Sequence, residues 1–367
     1  MPPIWVLRPP LHSSTVEPCS TPVRVAVVST SYPSHAADPA GHFVRSESQG
    51  LARQGHEVHV IAPAGPHGTL TSDEGIVTWP IVHGGAFGWP GAASRVRARP
   101  WRLAGAATFA ALASDQIRRL HPDRIVAHWI VPCAHPIVSR GRPTADVEVV
   151  AHGADVRLLV SLPAPLRAHV MARVLAMAST LRFAARAGYR SLAEALPTDQ
   201  RRWLERKAKV EPPALSVPDV SAAARSLRAA HGPTPLAVSV ARLVPSKRVD
   251  LAIAAAHRLH PRIRLGVVGD GPDRKRLARL PGADTVHFEG LIPREQALAW
   301  IAAADVLVHT STSEAAPTAV REARLLGTPV VACDAGDVAL WAQHDAGIVV
   351  VPPDPAAVAS AMCHLMT

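Results

Sequence analysis

The sequence predicts an α/β protein built from two Rossmann-like domains facing each other across a cleft. Two observations carry that prediction. Short apolar runs alternate with amphipathic segments along almost all of the 367 residues. Strands alternating with helices of about ten residues imply parallel sheets joined by right-handed crossovers. The rhythm is interrupted once, at residues 196–219, where Pro197, Pro212, Pro213 and Pro218 read as an irregular linker. The expected organisation is a loose tail over 1–22, an N-terminal domain with its linker over 23–218, and a C-terminal domain over 219–367.

The elements follow in order. Residues 23–29 (VRVAVVS) form a buried-strand pattern bounded by turn residues. Residues 43–53 read as a helix and 58–62 as the next strand. The stretch 64–100 is rich in Gly, Pro and His and reads as loop with short strands. Helix 103–120, strands 124–128 and 147–152, and helix 165–177 complete the first half. Strands in the second half are expected at 236–240, 265–268, 285–288, 306–309, 329–332 and 347–350. The helices between and after them fall at 249–259, 273–280, 294–303, 317–326, 338–343 and 355–365. Ligands of such sheets sit at the carboxyl ends of the strands, so the residues there are the ones to search.

Composition narrows the function classes. Apolar residues make up 48% of the chain, enough for large cores, and the formal net charge of +10 favours anionic partners. Lysines and arginines are scattered, with no dense run interleaved with aromatics, so a nucleic-acid groove is not expected. Cys19, Cys133, Cys333 and Cys363 form no close pair, which gives neither a disulfide framework nor a zinc knuckle. His128, Cys133 and His135 lack metal-ligand spacing, and no metal is expected. The apolar run Ile4–Leu7 is too short for a signal peptide, and no stretch approaches the ~18 apolar residues of a membrane span. A soluble cytoplasmic protein is expected. The basic, amphipathic helix at 165–182 can touch an anionic membrane or simply face the core.

Several loops at strand ends carry candidate chemistry. Residues 313–323 read SEAAPTAVREA. Pro317 suits the first helical position, and Ala316 before it offers no side-chain cap. The amides of Thr318 and Ala319 are therefore expected to face a phosphate at the positive end of the helix dipole. Glu322 shares a face with Thr318. Beside a phosphate its carboxylate is useful only if it accepts hydroxyl hydrogen bonds; otherwise Glu314 and Glu322 are a surface pair near Arg321. Residues 241–247 (ARLVPSK) place Arg242 and Lys247 on a loop after a strand, where they can clamp a diphosphate or stay solvated. Gly269-Asp270-Gly271-Pro272 allows a close backbone approach, but Arg274 stands where a dinucleotide fingerprint needs glycine. Asp38 to Phe43 holds Gly41 and His42 at the start of the first helix, as a ligand loop or a plain turn. His128-Trp129 and His152-Gly153-Ala154-Asp155 end two further strands.

Taken in chain order, these motifs resemble those of the family-4 glycosyltransferases, retaining enzymes of the GT-B architecture. The series runs from Tyr32-Pro33 to Gly41, through Gly55-His56-Glu57-Val58, His152 to Asp155, Ala241 to Lys247, Gly269 to Pro272 and Phe288-Glu289-Gly290. It ends with Ser313 to Ala323 and Gly327-Thr328-Pro329-Val330-Val331-Ala332. The resemblance covers residues from about 24 to about 358.

It implies a metal-independent enzyme without cofactor that moves a sugar from a nucleotide diphosphate, UDP- or GDP-linked, to an acceptor. Arg242 and Lys247 resemble the pair that balances charge on the leaving diphosphate. Glu322 resembles the carboxylate that grips ribose hydroxyls, and Glu314 the one beside the transferred sugar. Thr318 and Ala319 are implied to offer amides to the phosphate, Gly41 to approach it from the N-terminal domain, and Gly271, Gly290 and Leu291 to line the donor. His152 resembles the active-site histidine near the sugar, and His42, His128, Trp129 and Asp155 are candidates on the acceptor side. The acceptor is a small molecule, lipid or glycan. The chain departs from the family at Ala315 and Ala316, where glycine and an aromatic are usual, and at Pro212-Pro213-Ala214-Leu215, where a proline–glycine turn is usual. The helix that crosses back to the N-terminal domain in many members is expected to be absent or shortened. An epimerase or hydrolase of the same architecture, or an idle nucleotide-sugar-binding protein, are the alternative readings.

Overall fold

The computed structural model describes residues 21–34, 38, 41–65, 72–73, 75–88, 91–141 and 144–366. Most of the expected N-terminal tail, Cys19 included, lies outside the described residues. The chain divides into two compact units, one ending at Leu215 and the other beginning at Ser216.

The first unit contains β1 (Arg24–Val28), α1 (His42–Arg53), β2 (Glu57–Pro63), β3 (Ser72–Asp73), β4 (Ile76–Ile81), α2 (Ala92–Ala98), α3 (Arg102–Leu120) and β5 (Arg124–His128). It continues with β6 (Asp146–Ala151), α4 (Ala154–Ser161), α5 (Ala164–Met177), β7 (Thr180–Phe183), α6 (Arg186–Ala195), α7 (Thr198–Lys207) and β8 (Ala208–Val210). Its eight strands run in the order β3-β4-β2-β1-β5-β6-β7-β8. Every pairing is parallel except that of β3 with β4. Side chains alternate across a strand. Val25 and Val27 of β1 therefore pack with Val44 and Leu51 of α1, while Ala26 and Val28 pack with Phe109, Ala113 and Ile117 of α3. Both faces are covered, which is why β1 reads as one continuous apolar run.

Two expectations need correction here, and one segment had no assignment from the sequence. The stretch 64–100 holds a full parallel strand, β4, and the helix α2. Between β5 and β6, Ile130–Val138 (IVPCAHPIV) forms a kinked, wide-turned helical segment despite Pro132 and Pro136. The supposed irregular linker contains α7 and β8. Only Leu204 of α7 is buried, so the helix carries no apolar stripe for periodicity to detect.

The second unit contains α8 (Ser221–His231), β9 (Leu236–Val240), α9 (Val249–Leu259), β10 (Arg264–Val268), α10 (Arg274–Leu277), β11 (Val286–Gly290) and α11 (Arg294–Ala303). It ends with β12 (Val306–His309), α12 (Thr318–Leu325), β13 (Val330–Cys333), α13 (Val338–Ala342), β14 (Ile348–Val351) and α14 (Pro355–Met366). The strands form one parallel sheet in the order β11-β10-β9-β12-β13-β14. Ala237 of β9 buries against α9 and α14, while Leu236 and Val238 bury against α11 and α12. The order reverses between β9 and β12, so the loops after these two strands meet at the topological switch point.

Among the described residues no helix is long and apolar enough to cross a membrane. Cys133, Cys333 and Cys363 are free thiols.

Candidate active site

The site residues of the second unit gather on loops at the carboxyl edge of its sheet. Residues 241–248 follow β9 and residues 310–317 follow β12. Main-chain groups tie these loops together. The Ser246 carbonyl accepts from Thr312 N at 3.0 Å and Ser311 Oγ at 3.2 Å, and Thr310 Oγ1 donates to the Arg248 carbonyl at 2.7 Å. The loop after β10 joins the same layer, with Leu243 N donating to the Asp270 carbonyl at 2.9 Å and Asp273 N to the Leu243 carbonyl at 3.0 Å. Gly271 lies so close that a Cβ there would stand 2.3 Å from the Leu243 carbonyl oxygen. Glycine at 271 is thus required by loop-on-loop packing, a reason that the sequence did not disclose. Gly290 is buried at the end of β11, and Leu291 after it is exposed.

The Lys247 ammonium is ion-paired with the Glu314 carboxylate, and His309 Nε2 stands 3.4 Å from the same oxygen. Burial pushes the Glu314 carboxyl upward, but the His309 contact and the Lys247 charge overcome it and pull the group down to about 2. Arg242, on the same loop as Lys247, is exposed.

Helix α12 begins one residue later than expected. Pro317 is the N-cap and Thr318 the first helical residue, with no side-chain cap among the described residues. The amides of Thr318 and Ala319 therefore remain at the uncapped end. At the other end Gly327 takes φ 82° and Thr328 N reaches the Ala323 carbonyl at 2.9 Å. Glu322 is not a surface residue. It is 6% exposed, and its Oε1 accepts from Arg294 Nε at 3.0 Å and a terminal Arg294 nitrogen at 2.8 Å. Arg294, at the first position of α11, had no sequence signal. The same guanidinium also donates to the Ser216 carbonyl at 2.7 Å.

A shallow cavity of about 420 Å³ lies at the opposite edge of this sheet, among His231, His260, Arg264 and His287. It is remote from the loops just described and holds none of the predicted residues.

The first unit gathers its own set. Gly41 caps α1 with φ 67°, and a Cβ there would stand 2.3 Å from the Ser31 carbonyl oxygen. The turn after β1 and the start of α1 can close only around glycine. His42 and Phe43 open the helix, with their rings 5.9 Å apart. His152 follows β6, and its ring lies 4.9 Å from Phe43 and 4.7 Å from Trp129. Behind it, His128 Nδ1 lies 3.0 Å from His152 Nε2, the two rings stacked. His128 is fully buried, so its link to a ligand passes through His152. Burial first, then the charge of Arg182, pushes the His152 imidazole down to about 3, and burial pushes His128 well below its ordinary range. Both rings are neutral near pH 7.

Asp155 holds this set in place. Its carboxylate accepts from Ile130 N at 2.7 Å and from His152 N and Val156 N at 3.0 Å. Burial raises its pKa, while these backbone donors lower it. The bond to Ile130 supports the turn at Trp129, whose φ of 74° is unfavourable for a side chain of that size. Under the histidines lie Glu47 and Arg182, which are ion-paired, and Glu148, which takes Arg182 at 2.8 Å and Arg124 at 2.6 Å. Burial pushes Glu47 upward, and Arg182 opposes it.

Comparison with known proteins adds to this geometry. Residues 234–367 match the family model described as Glycosyl transferases group 1. An exopolysaccharide phosphotransferase of Streptomyces coelicolor is 35% identical over 133 residues, 34% of this chain and 14% of that protein. A teichuronic acid biosynthesis glycosyltransferase, TuaC, assigned provisionally to that role in Bacillus subtilis, is 34% identical over 128 residues, 35% of this chain and 32% of its own length. The chain thus spans less than a third of either relative. The structure of Anabaena HepE in complex with UDP-glucose superposes with a TM-score of 0.66 at 17% identity, covering 93% of this chain and 89% of HepE. That likeness shows the fold, two Rossmann-like α/β units of the GT-B class.

Proposed function

We propose that the protein is a retaining glycosyltransferase of family 4, moving a sugar from a nucleotide-diphosphate sugar to an acceptor nucleophile without a metal. The observation that carries this reading is the Lys247–Glu314 ion pair beside the uncapped start of α12, at the switch point of the sheet. A cation and the amides at an uncapped helix start suit a diphosphate, and a carboxylate next to them suits sugar hydroxyls. The group 1 match over this unit supports the reading.

In this mechanism Arg242 and Lys247 stabilise the charge that builds on the leaving diphosphate, a fixed electrostatic contribution. Thr318 and Ala319 offer amides to the phosphate, and Gly41 is the donor-binding candidate of the first unit. Glu322, oriented by Arg294, accepts from the ribose hydroxyls, while Gly271, Gly290 and Leu291 border the base. Glu314 holds hydroxyls of the transferred sugar and faces its developing positive charge. His152 contacts the sugar, and His42 and Trp129 border the acceptor, with His128 and Asp155 supporting from behind. UDP- or GDP-sugars are the donors expected. The acceptor is a small molecule, a lipid or a glycan.

The test is a panel of UDP-, GDP- and dTDP-sugars, read by thermal shift and by release of free nucleoside diphosphate. At least one donor is expected to raise the melting temperature, and Glu322→Ala to abolish that shift. If no nucleotide sugar moves the melting temperature, the reading fails.

A further inference from the structure

The buried charges beneath His152 have no part in the chemistry assigned above. Glu47, on α1, and Arg182, on β7, lie 135 residues apart and form an ion pair. Arg182 also holds Glu148, which takes Arg124, so two guanidiniums meet two carboxylates. Three polar atoms of this cluster lack a partner among the described residues, Arg124 Nε and the two that face each other beneath the rings. Glu47 Oε2 and His128 Nε2 are buried with no hydrogen-bond partner among the described residues, and they face each other at 3.9 Å. A water bridging two atoms holds them about 4.5 Å apart at ordinary hydrogen-bond lengths, so there is no room for one. Buried polar atoms are costly when unpaired. At 3.9 Å the two atoms are too far apart for a hydrogen bond, but a carboxylate facing His128 Nε2 at that range favours an N–H there over a lone pair.

That proton placement has a consequence one ring further out. A neutral imidazole carries one N–H and one lone pair. With the proton on Nε2, His128 Nδ1 is an acceptor, and the atom 3.0 Å from it is His152 Nε2. His152 must then donate from Nε2 and keep its lone pair on Nδ1. The Phe43 and Trp129 rings, each tilted against the imidazole, hold it from two sides.

We propose that Glu47 is a positioning residue that fixes the tautomer of His152 through His128, so that His152 Nδ1 accepts a hydrogen bond from a substrate hydroxyl. The identity of that hydroxyl as one on a sugar or its acceptor rests on the function proposed above; the relay itself does not.

The full chain labelled with 15N-histidine tests it, because long-range 1H–15N spectra read which ring nitrogen bears the proton. Both His128 and His152 are expected to be protonated at Nε2. In Glu47→Gln the amide oxygen stays with Arg182, and the amide nitrogen faces His128 Nε2 as a donor. His128 must then accept there, and the proton on His152 is expected to move to Nδ1. Under saturating nucleotide sugar, the same variant is expected to lose about tenfold in kcat/KM, the equivalent of one hydrogen bond, while His152→Asn, which keeps a polar group near the Nδ1 position, retains more activity than His152→Gln. A wild-type His152 protonated at Nδ1 overturns the relay, as does a folded Glu47→Gln protein whose His152 proton stays on Nε2. If Glu47→Gln does not fold, the wild-type spectrum still decides. If no nucleotide sugar is consumed, the functional reading fails while the spectra still judge the relay.

Discussion

The Lys247 ammonium and the Glu314 carboxylate form a half-buried ion pair although they lie 67 residues apart in the chain. The pairing gives each group two tasks. Lys247 is held where a diphosphate is expected, and Glu314 is kept ionised in a place where burial alone would neutralise it. Lys247→Ala is expected to lower the rate of nucleoside diphosphate release by on the order of 10²–10³, the cost of losing one fixed donor at a developing charge. His309 remains beside Glu314, so the accompanying loss of stability is expected at roughly 1–2 kcal/mol, below the usual cost of breaking a buried pair. An unchanged rate of release, measured at saturating donor, would refute the diphosphate role.

Acid should expose the same pair. The Glu314 carboxyl is depressed in the folded protein to about 2 from an ordinary 4.5. A depressed carboxyl stabilises the fold above its unfolded pKa and stops doing so as pH falls through the folded one. The stabilisation is therefore complete above about pH 5 and lost between about pH 4.5 and 2, an amount on the order of 3 kcal/mol. Urea unfolding of the wild type and of Glu314→Gln at pH 6 and pH 3 checks this. The gap between them is expected to shrink at the lower pH, and a constant gap contradicts the depressed pKa.

Arg294 is the guanidinium hydrogen-bonded to the buried Glu322, and the Arg321 charge acts on the same carboxylate. Removing Arg294 leaves a carboxylate with little solvent around it, and Arg294→Ala is expected to cost about 3 kcal/mol. It should also weaken nucleotide-sugar binding, because Glu322 loses its orientation. Calorimetry of donor binding to Arg294→Ala, beside its unfolding curve, separates the two effects. Wild-type affinity in the variant would show that Glu322 does not need Arg294 to meet its ligand.

Asp155→Asn tests the frame of the first unit. Both carboxylate oxygens accept from backbone amides, and an amide group must turn its own N–H toward one of them. A loss of about 1–3 kcal/mol is expected from the unpaired donors. The turn at Trp129 should loosen with it, visible as a change in indole fluorescence. A variant as stable as the wild type would show that the turn holds without Asp155.

Much of the second unit was legible because its strands are short, apolar and bounded by glycine or proline. The helices at 249–259 and 294–303 and the strand at 306–309 fall where periodicity put them. The candidate loops were legible for a related reason: charged residues directly after a buried strand have few structural uses. What the chain hid was pairing at a distance. Nothing near Glu322 points to Arg294, and nothing near His128 points to Glu47, whose charge reads as part of the polar face of α1. The helix α7 (TDQRRWLERK) was invisible because only Leu204 turns inward. The glycine at 271 is also demanded by the nearby Leu243 carbonyl, a packing reason that no local pattern shows.

The hydrogen bonds that tie the loops after β9, β10 and β12 to one another make the ligand edge of the second unit a woven floor. Its main chain is committed, whereas the side chains at Arg242, Ser246 and Leu291 project from it with exposure to spare. Such a surface can exchange its side chains over evolutionary time without redrawing its backbone. Preference for one base or sugar over another can then drift while the architecture beneath it stays fixed.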